Sequence, residues 1–193
     1  MLIALTGGVG CGKSSSAALF GATGYRVRDA DLIVREKVLT SPEVIAAVTD
    51  RWGKSLLADD GNLQRAKIAE IVFSDPTERR WLEQLVHPKV ETHWRKDVAM
   101  APECDWIVEI PLLFEARLEK GFDFVISVGA SESVQIARLI ARGMSEAQAR
   151  QRIASQLPLA HKFKFSNAVI WNDGDIAFLK AQVLHLARTI ALR

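Results

Sequence analysis

Four glycines stand within the six residues Gly7–Gly12, with Lys13 and Ser14 directly after them and the apolar run Leu2-Ile3-Ala4-Leu5 one residue before. The eight residues GGVGCGKS, 7 to 14, satisfy the pattern Gly-x-x-x-x-Gly-Lys-Ser in the context it needs, a buried strand leading in and a helix leading out. Glycines let successive backbone N–H groups converge on one centre and let phosphate oxygens come close. The helix start adds the positive end of its dipole. Lys13 supplies a cation for β- and γ-phosphates, and the Ser14 hydroxyl is placed to ligate Mg²⁺. Gly8, Gly10, Cys11, Gly12, Lys13, Ser14 and Ser15 form the expected ATP-binding stretch, with Ser14 as the metal ligand. Cys11 reads as a small filler; a thiol made redox-sensitive by the helix N-terminus beside it is the lesser reading.

The spacing predicts a helix over 13–22 and a second strand at Tyr25-Arg26-Val27-Arg28, completing one βαβ unit of about 30 residues. From residue 32 to about 101 the apolar positions keep helical spacing, which predicts a helical insertion. Strands resume at Trp106–Ile110 and Phe124–Val128, and a last one is expected at Ala168–Trp171. Residues 132–154 read as two helices broken at Gly143, and 174–193 as an amphipathic terminal helix. Five strands alternating with helices predict an α/β fold with a five-stranded parallel sheet flanked by helices.

Parallel strands joined by a crossover end on the same sheet edge, so the second strand delivers Asp29 and Asp31 beside the phosphate loop. A carboxylate there can accept a proton from an attacking hydroxyl or hold magnesium waters; Asp31 can equally cap the helix that follows it. At the end of the third strand, where a Walker B aspartate is usual, stands Glu109, for which substitution and strand packing are both open readings. Arg138 and Arg142 are four apart and share a helix face, with Arg150 and Arg152 on the next helix, as expected of a lid that neutralises a transferring phosphoryl group. A GTPase is disfavoured, because Asp50-Arg51-Trp52-Gly53 follows a helical run and no base-recognition element comes after it. The chain reads as a small P-loop kinase.

Other features narrow the class. A net charge of +2 gives no case for nucleic-acid binding. No window reaches the roughly 18 apolar residues of a membrane span, and the N-terminus lacks the pattern of a signal peptide. Two cysteines make no disulfide framework, so a cytoplasmic protein acting on small molecules, with no obligate protein partner, is expected.

The segments GGVGCGKSS, DADLIVRE, LQRAKIAEIVF, HPKV, PLLFE and Gln156 resemble, in order and spacing, the dephospho-coenzyme A kinases, and they cover nearly the whole chain. The resemblance implies ATP-dependent phosphorylation of the ribose 3′-hydroxyl of dephospho-CoA, the last step of coenzyme A synthesis. It implies Asp31 as catalytic base, with Lys13 and Arg138 in the catalytic set and Arg142 on ATP. Arg65, His87 and Leu112, together with Asp31, would receive the acceptor. One P-loop kinase domain over 1–193 is expected, with a nucleotide core of about 1–31 and 102–193, a helical acceptor-binding insertion of about 32–101, and a helical lid of about 138–160. From the residues alone, His87 beside Pro88 reads as a helix end. Three departures from the family pattern stand out: Ser15 for Thr, Ser166-Asn167 for Ala-Asp, and Trp171 for Asp. A nucleoside monophosphate kinase and a nucleotide-switched binding protein are the competing readings; the DAD and PLLFE segments oppose the first, and the carboxylate at Asp31 opposes the second.

Overall fold

The structure, a computed structural model, describes residues 1–192, and of Phe73 the backbone only; Arg193, the last residue of the expected terminal helix, lies outside the described residues. The chain packs as two compact units, one made of Met1–Asp29 with the chain from Ala101 onward, the other of Ala30–Met100.

The first unit is built on five parallel strands: β1 (Leu2–Gly7), β2 (Arg26–Asp29), β3 (Trp106–Glu109), β4 (Phe124–Gly129) and β5 (Ala168–Trp171), in the spatial order β2-β3-β1-β4-β5. β1 lies at the centre, paired with β3 on one side and β4 on the other. Every residue of β3 and β4 is buried. That is why these strands read as continuous apolar runs rather than alternating ones: helices cover both faces of a parallel sheet. Helix α1 (Lys13–Gly21) contributes Ala17 and Phe20 to the main core, beside Ile3, Leu5, Ile107, Ile126 and Val128 of the sheet. The C-terminal helix (Ile176–Ala191) adds Leu179, Val183 and Ile190 to the same core.

The second unit is helical, as the spacing predicts. Helix α2 (Ala30–Ile33) runs on into a π-helical turn, Val34–Val38, closed by the Leu39 N–H on the Val34 carbonyl at 2.9 Å. Helix α3 (Pro42–Trp52) starts at Ser41, whose hydroxyl accepts from the Val44 N–H. Next come α4 (Arg65–Ser74) and the 24-residue α5 (Pro76–Ala99). Glu78 of α5 takes two hydrogen bonds from Arg51 (2.6 and 2.8 Å) and one from the Trp52 indole, which ties α3 to α5. Arg51 also stacks on Trp81, 4.6 Å from the ring centroid.

Three expectations need correction. His87 does not end a helix, because α5 passes through Pro88 without stopping. Val86, Val90 and Trp94 are buried on either side of that position. Pro88 and Gln84, whose carbonyl loses its usual donor, are exposed, so hydration offsets the missing bond. A six-residue helix at Leu159–Lys164 was not foreseen; it is shorter than any window over which helical period can be read. Asp31 is the second residue of α2, inside its first turn, so it is not the residue that caps this helix.

Asp75 starts α5 by accepting from the N–H groups of Thr77 (2.7 Å) and Glu78 (3.4 Å). Asp75→Ala is expected to cost about 1 kcal/mol, a typical N-cap loss. Thermal unfolding followed by circular dichroism checks it, and an unchanged midpoint would show that α5 starts without this cap.

Candidate active site

The turn between β1 and α1 is fixed by what its backbone must avoid. Gly7 has φ +141°, and a Cβ there would sit 2.0 Å from the Val128 carbonyl oxygen. Gly12 has φ +91°, and its Cβ would lie 2.2 Å from the Asn172 amide nitrogen. Only glycine fits either place. The loop is then gripped from outside. Asn172 Nδ2 donates to the Cys11 carbonyl at 2.8 Å. Arg138 donates to the Gly10 carbonyl at 3.2 Å and to the Asn172 carbonyl at 2.9 Å. Gln156 Oε1 accepts from the Val9 N–H at 2.9 Å.

Inside the loop, Lys13 is 8% exposed, and its ammonium donates to the carbonyls of Gly8 (3.0 Å) and Gly7 (3.4 Å). The cation is thereby tied to the first two peptides of the loop. The opening N–H groups of a helix have no acceptor within it, so α1 presents donors at the same point. Ser14 and Ser15 are exposed at that helix start.

Glu109 resolves the open question at the end of β3. It is 5% exposed, in register with Leu5 of β1 and Asp29 of β2, and its Oε1 accepts from the Ser14 hydroxyl at 3.1 Å. A hydroxyl and a carboxylate, both hard oxygen donors, thus meet at the mouth of the phosphate loop, a donor pair of the kind Mg²⁺ prefers. The longer side chain stands where an aspartate is usual. Period-2 reading could place Glu109 at the strand end but not choose its partner.

Cys11 lies fully buried in the main core, and burial pushes its thiol pKa up while the Lys13 ammonium opposes the shift. Its thiol is therefore a packing group, in keeping with the small-filler reading. Arg138 and Arg142 do not share a helix face, because α6 (Glu132–Ile140) ends before Arg142. Arg138 belongs to α6 and is turned onto the loop, as given above. Arg142 stands beyond the end of α6, exposed, in the turn closed by Gly143 at φ +91°.

The segment expected as a lid continues with α7 (Glu146–Ala154), opened by a Ser145–Gln148 capping box. Arg150 pairs with Glu146 and with Glu132 of α6, each at 2.8 Å. Leu139, Ile136 and Ala149 form a small core, on which Val9 of the phosphate loop packs. The remaining helices are α8 (Leu159–Lys164) and α9 (Ile176–Ala191). Leu112 is half-buried in the turn after β3, next to fully buried Leu113. The first unit therefore gathers Gly8, Gly10, Cys11, Gly12, Lys13, Ser14, Ser15 and Arg138 around one loop, with Glu109, Gln156 and Asn172 added by the structure. Asp31, Arg65 and His87 belong to the second unit: Asp31 exposed on α2, Arg65 exposed at the start of α4, His87 half-buried on α5.

The dephospho-CoA kinase family model matches residues 1–177. A protein of Synechococcus sp. (strain CC9902) named dephospho-CoA kinase is 43% identical over 184 residues, covering 94% of this chain and 92% of that relative. A crystal structure from Thermus thermophilus matches with a TM-score of 0.82 at 30% identity, over 97% of both chains. Shikimate kinase from Acinetobacter baumannii, solved with shikimate, shares the P-loop kinase fold at TM-score 0.58 and 14% identity, over 100% of this chain and 95% of that one. Among the described residues no helix is long and apolar enough to cross a membrane.

Burial pushes the His87 imidazole pKa below its ordinary 6.5, with nearby Glu83 opposing. The unfolded chain then binds more protons than the folded one, so stability falls as the pH drops below 6.5. His87→Gln is expected to flatten that slope in denaturant titrations between about pH 5 and 7. An unaltered slope would assign the acid sensitivity to other groups.

Proposed function

The chain belongs to the dephospho-CoA kinase family and is a phosphotransferase of coenzyme A biosynthesis, and from that premise we propose that it moves the γ-phosphoryl group of ATP onto the ribose 3′-hydroxyl of dephospho-CoA. The observation that carries this reading is the meeting of Lys13, the Ser14–Glu109 pair and the start of α1 on one glycine loop.

The loop N–H groups and Lys13 bind the β- and γ-phosphates. Ser14 and Glu109 would hold a magnesium ion, which when bound screens the charge on those phosphates. Arg138 keeps the Gly10 and Asn172 peptides fixed at the nucleotide side of the loop, and exposed Arg142 reaches ATP when the lid segment of about 138–160 closes. Asp31 is the general base. Support for that role comes from its chain position, two residues past the end of β2, a strand whose C-terminal end shares a sheet edge with the phosphate loop. The acceptor oxygen attacks the γ-phosphorus as the bond to the β–γ bridging oxygen breaks. ADP leaves, and the hydroxyl proton passes to Asp31. The helical unit, with Arg65 and His87, and Leu112 after β3 receive the acceptor. Both substrates are small molecules, and the two free thiols support a cytoplasmic setting.

ADP release is measured with Mg-ATP and dephospho-CoA, AMP or no acceptor, for the parent and for Asp31→Asn. Turnover is expected with dephospho-CoA alone. The substitution should lower kcat by at least ~10²-fold with the KM for ATP nearly unchanged. Equal turnover with AMP would overturn the acceptor, and an unchanged kcat would remove Asp31 as base.

A further inference from the structure

Lys162 is the only lysine besides Lys13 that is buried among the described residues, and it is completely buried. It comes from α8, the helix that periodicity does not reveal. Its ammonium donates to the Pro111 carbonyl at 3.0 Å and pairs with Glu115 Oε1 at 2.9 Å. Burying a charge is costly unless it is paired and hydrogen-bonded, so both partners are held tightly to it. Neither contact touches the phosphate loop, and the reaction chemistry above uses neither residue.

The contacts continue in both directions. Toward β1, the Pro111 carbonyl also accepts from the Thr6 hydroxyl at 3.3 Å, one residue before the phosphate loop begins. Toward the lid, Glu115 Oε1 accepts a second bond, from the Leu157 N–H at 3.0 Å. The other oxygen of Glu115 is buried without a hydrogen-bond partner, so the whole connection passes through Oε1. Leu157 follows Gln156, whose side chain accepts from the Val9 N–H at 2.9 Å. The path therefore leaves the chain at Thr6, runs through Pro111, Lys162, Glu115, Leu157 and Gln156, and returns at Val9. It closes a ring around the entry to the loop.

We propose that this ring sets the position of the phosphate loop relative to the strap leaving the lid, with Glu115 and Gln156 acting as positioning residues for phosphoryl transfer. The ring explains why a glutamate ends the segment PLLFE. Pro111 to Glu115 leave the sheet edge, and the carboxylate fastens that exit to the residues that follow α7. It also gives α8 a task, to carry the one cation that joins both carbonyl and carboxylate. Loss of any link frees Val9 by a fraction of an ångström, and misplacement on that scale lowers turnover without removing the groups that bind phosphate.

This inference rests on the kinase reading for its kinetic arm but not for its second arm. Three full-chain variants are compared with the parent: Gln156→Ala, the charge-neutral pair Glu115→Met with Lys162→Met, and all three changes together. With Mg-ATP and dephospho-CoA, Gln156→Ala and the pair variant should each lose about tenfold in kcat, inside the ~10²-fold that a 1 Å misplacement can cost. Both KM values should stay within about threefold of the parent, and the triple variant should be no slower than the worse of the two, since residues in one network are not additive. The second arm is hydrogen exchange of the Val9 amide, which needs no activity. Exchange should quicken in the pair variant, although positions 115 and 162 do not touch Val9. Gln156→Ala removes no buried charge, so its fold is not at risk; a parental kcat there would overturn the proposal. So would losses that multiply in the triple variant, or Val9 exchange that the pair variant leaves unchanged.

Discussion

At Gly7 a single added methyl would lie 2.0 Å from the Val128 carbonyl, and at Gly12 another would lie 2.2 Å from the Asn172 amide. That exclusion decides the rest of the first unit. With no Cβ at either end, the chain can leave the central strand, turn with φ of +141° and +91°, and enter α1 at once. The helix start, Lys13 and Ser14 then face one point. β4 and the segment after β5 are not passive neighbours in this; they supply the atoms that forbid a side chain. The outer carbonyls of the turn are held by Asn172 and Arg138, so the protein's own contacts fix the shape of the loop. Preorganised donors of this kind do not have to be reorganised during reaction.

The sheet order follows from the same requirement. β1 is central, and β3 on one side brings Glu109 to Ser14 across the strand ends. β2 lies beyond β3, in register with it, so the carboxylate-bearing segment Asp29–Asp31 leaves the sheet one strand farther out. The helical unit enters the chain between those two strands. Within it, the Ser41 and Asp75 caps start two helices and the Arg51–Glu78–Trp52 cluster ties α3 to α5.

Much of this was legible in the residues. The glycine loop with Lys13 and Ser14, the five strands and the helical insertion all follow from spacing that local physics enforces. What stayed hidden depends on contacts between distant segments. Nothing near Arg138 in sequence says that its guanidinium binds the Gly10 and Asn172 carbonyls rather than facing outward with Arg142. Glu109 could be placed at a strand end, yet its partner Ser14 is 95 residues away. Cys11 sits at a helix N-terminus, which would depress its pKa, but burial in the core wins. Pro88 looks like a stop and is not one, because packing on the buried face of α5 outweighs a bond lost on the exposed face.

The central claim is that this loop transfers a phosphoryl group to a ribose hydroxyl. Following the γ-phosphorus tests it most directly. Incubation with γ-labelled ATP and dephospho-CoA is predicted to give a labelled 3′-phosphomonoester on the ribose, located by ³¹P NMR, and no labelled product from the 3′-deoxy acceptor. Label recovered as inorganic phosphate, or carried by the 3′-deoxy acceptor, would contradict the account.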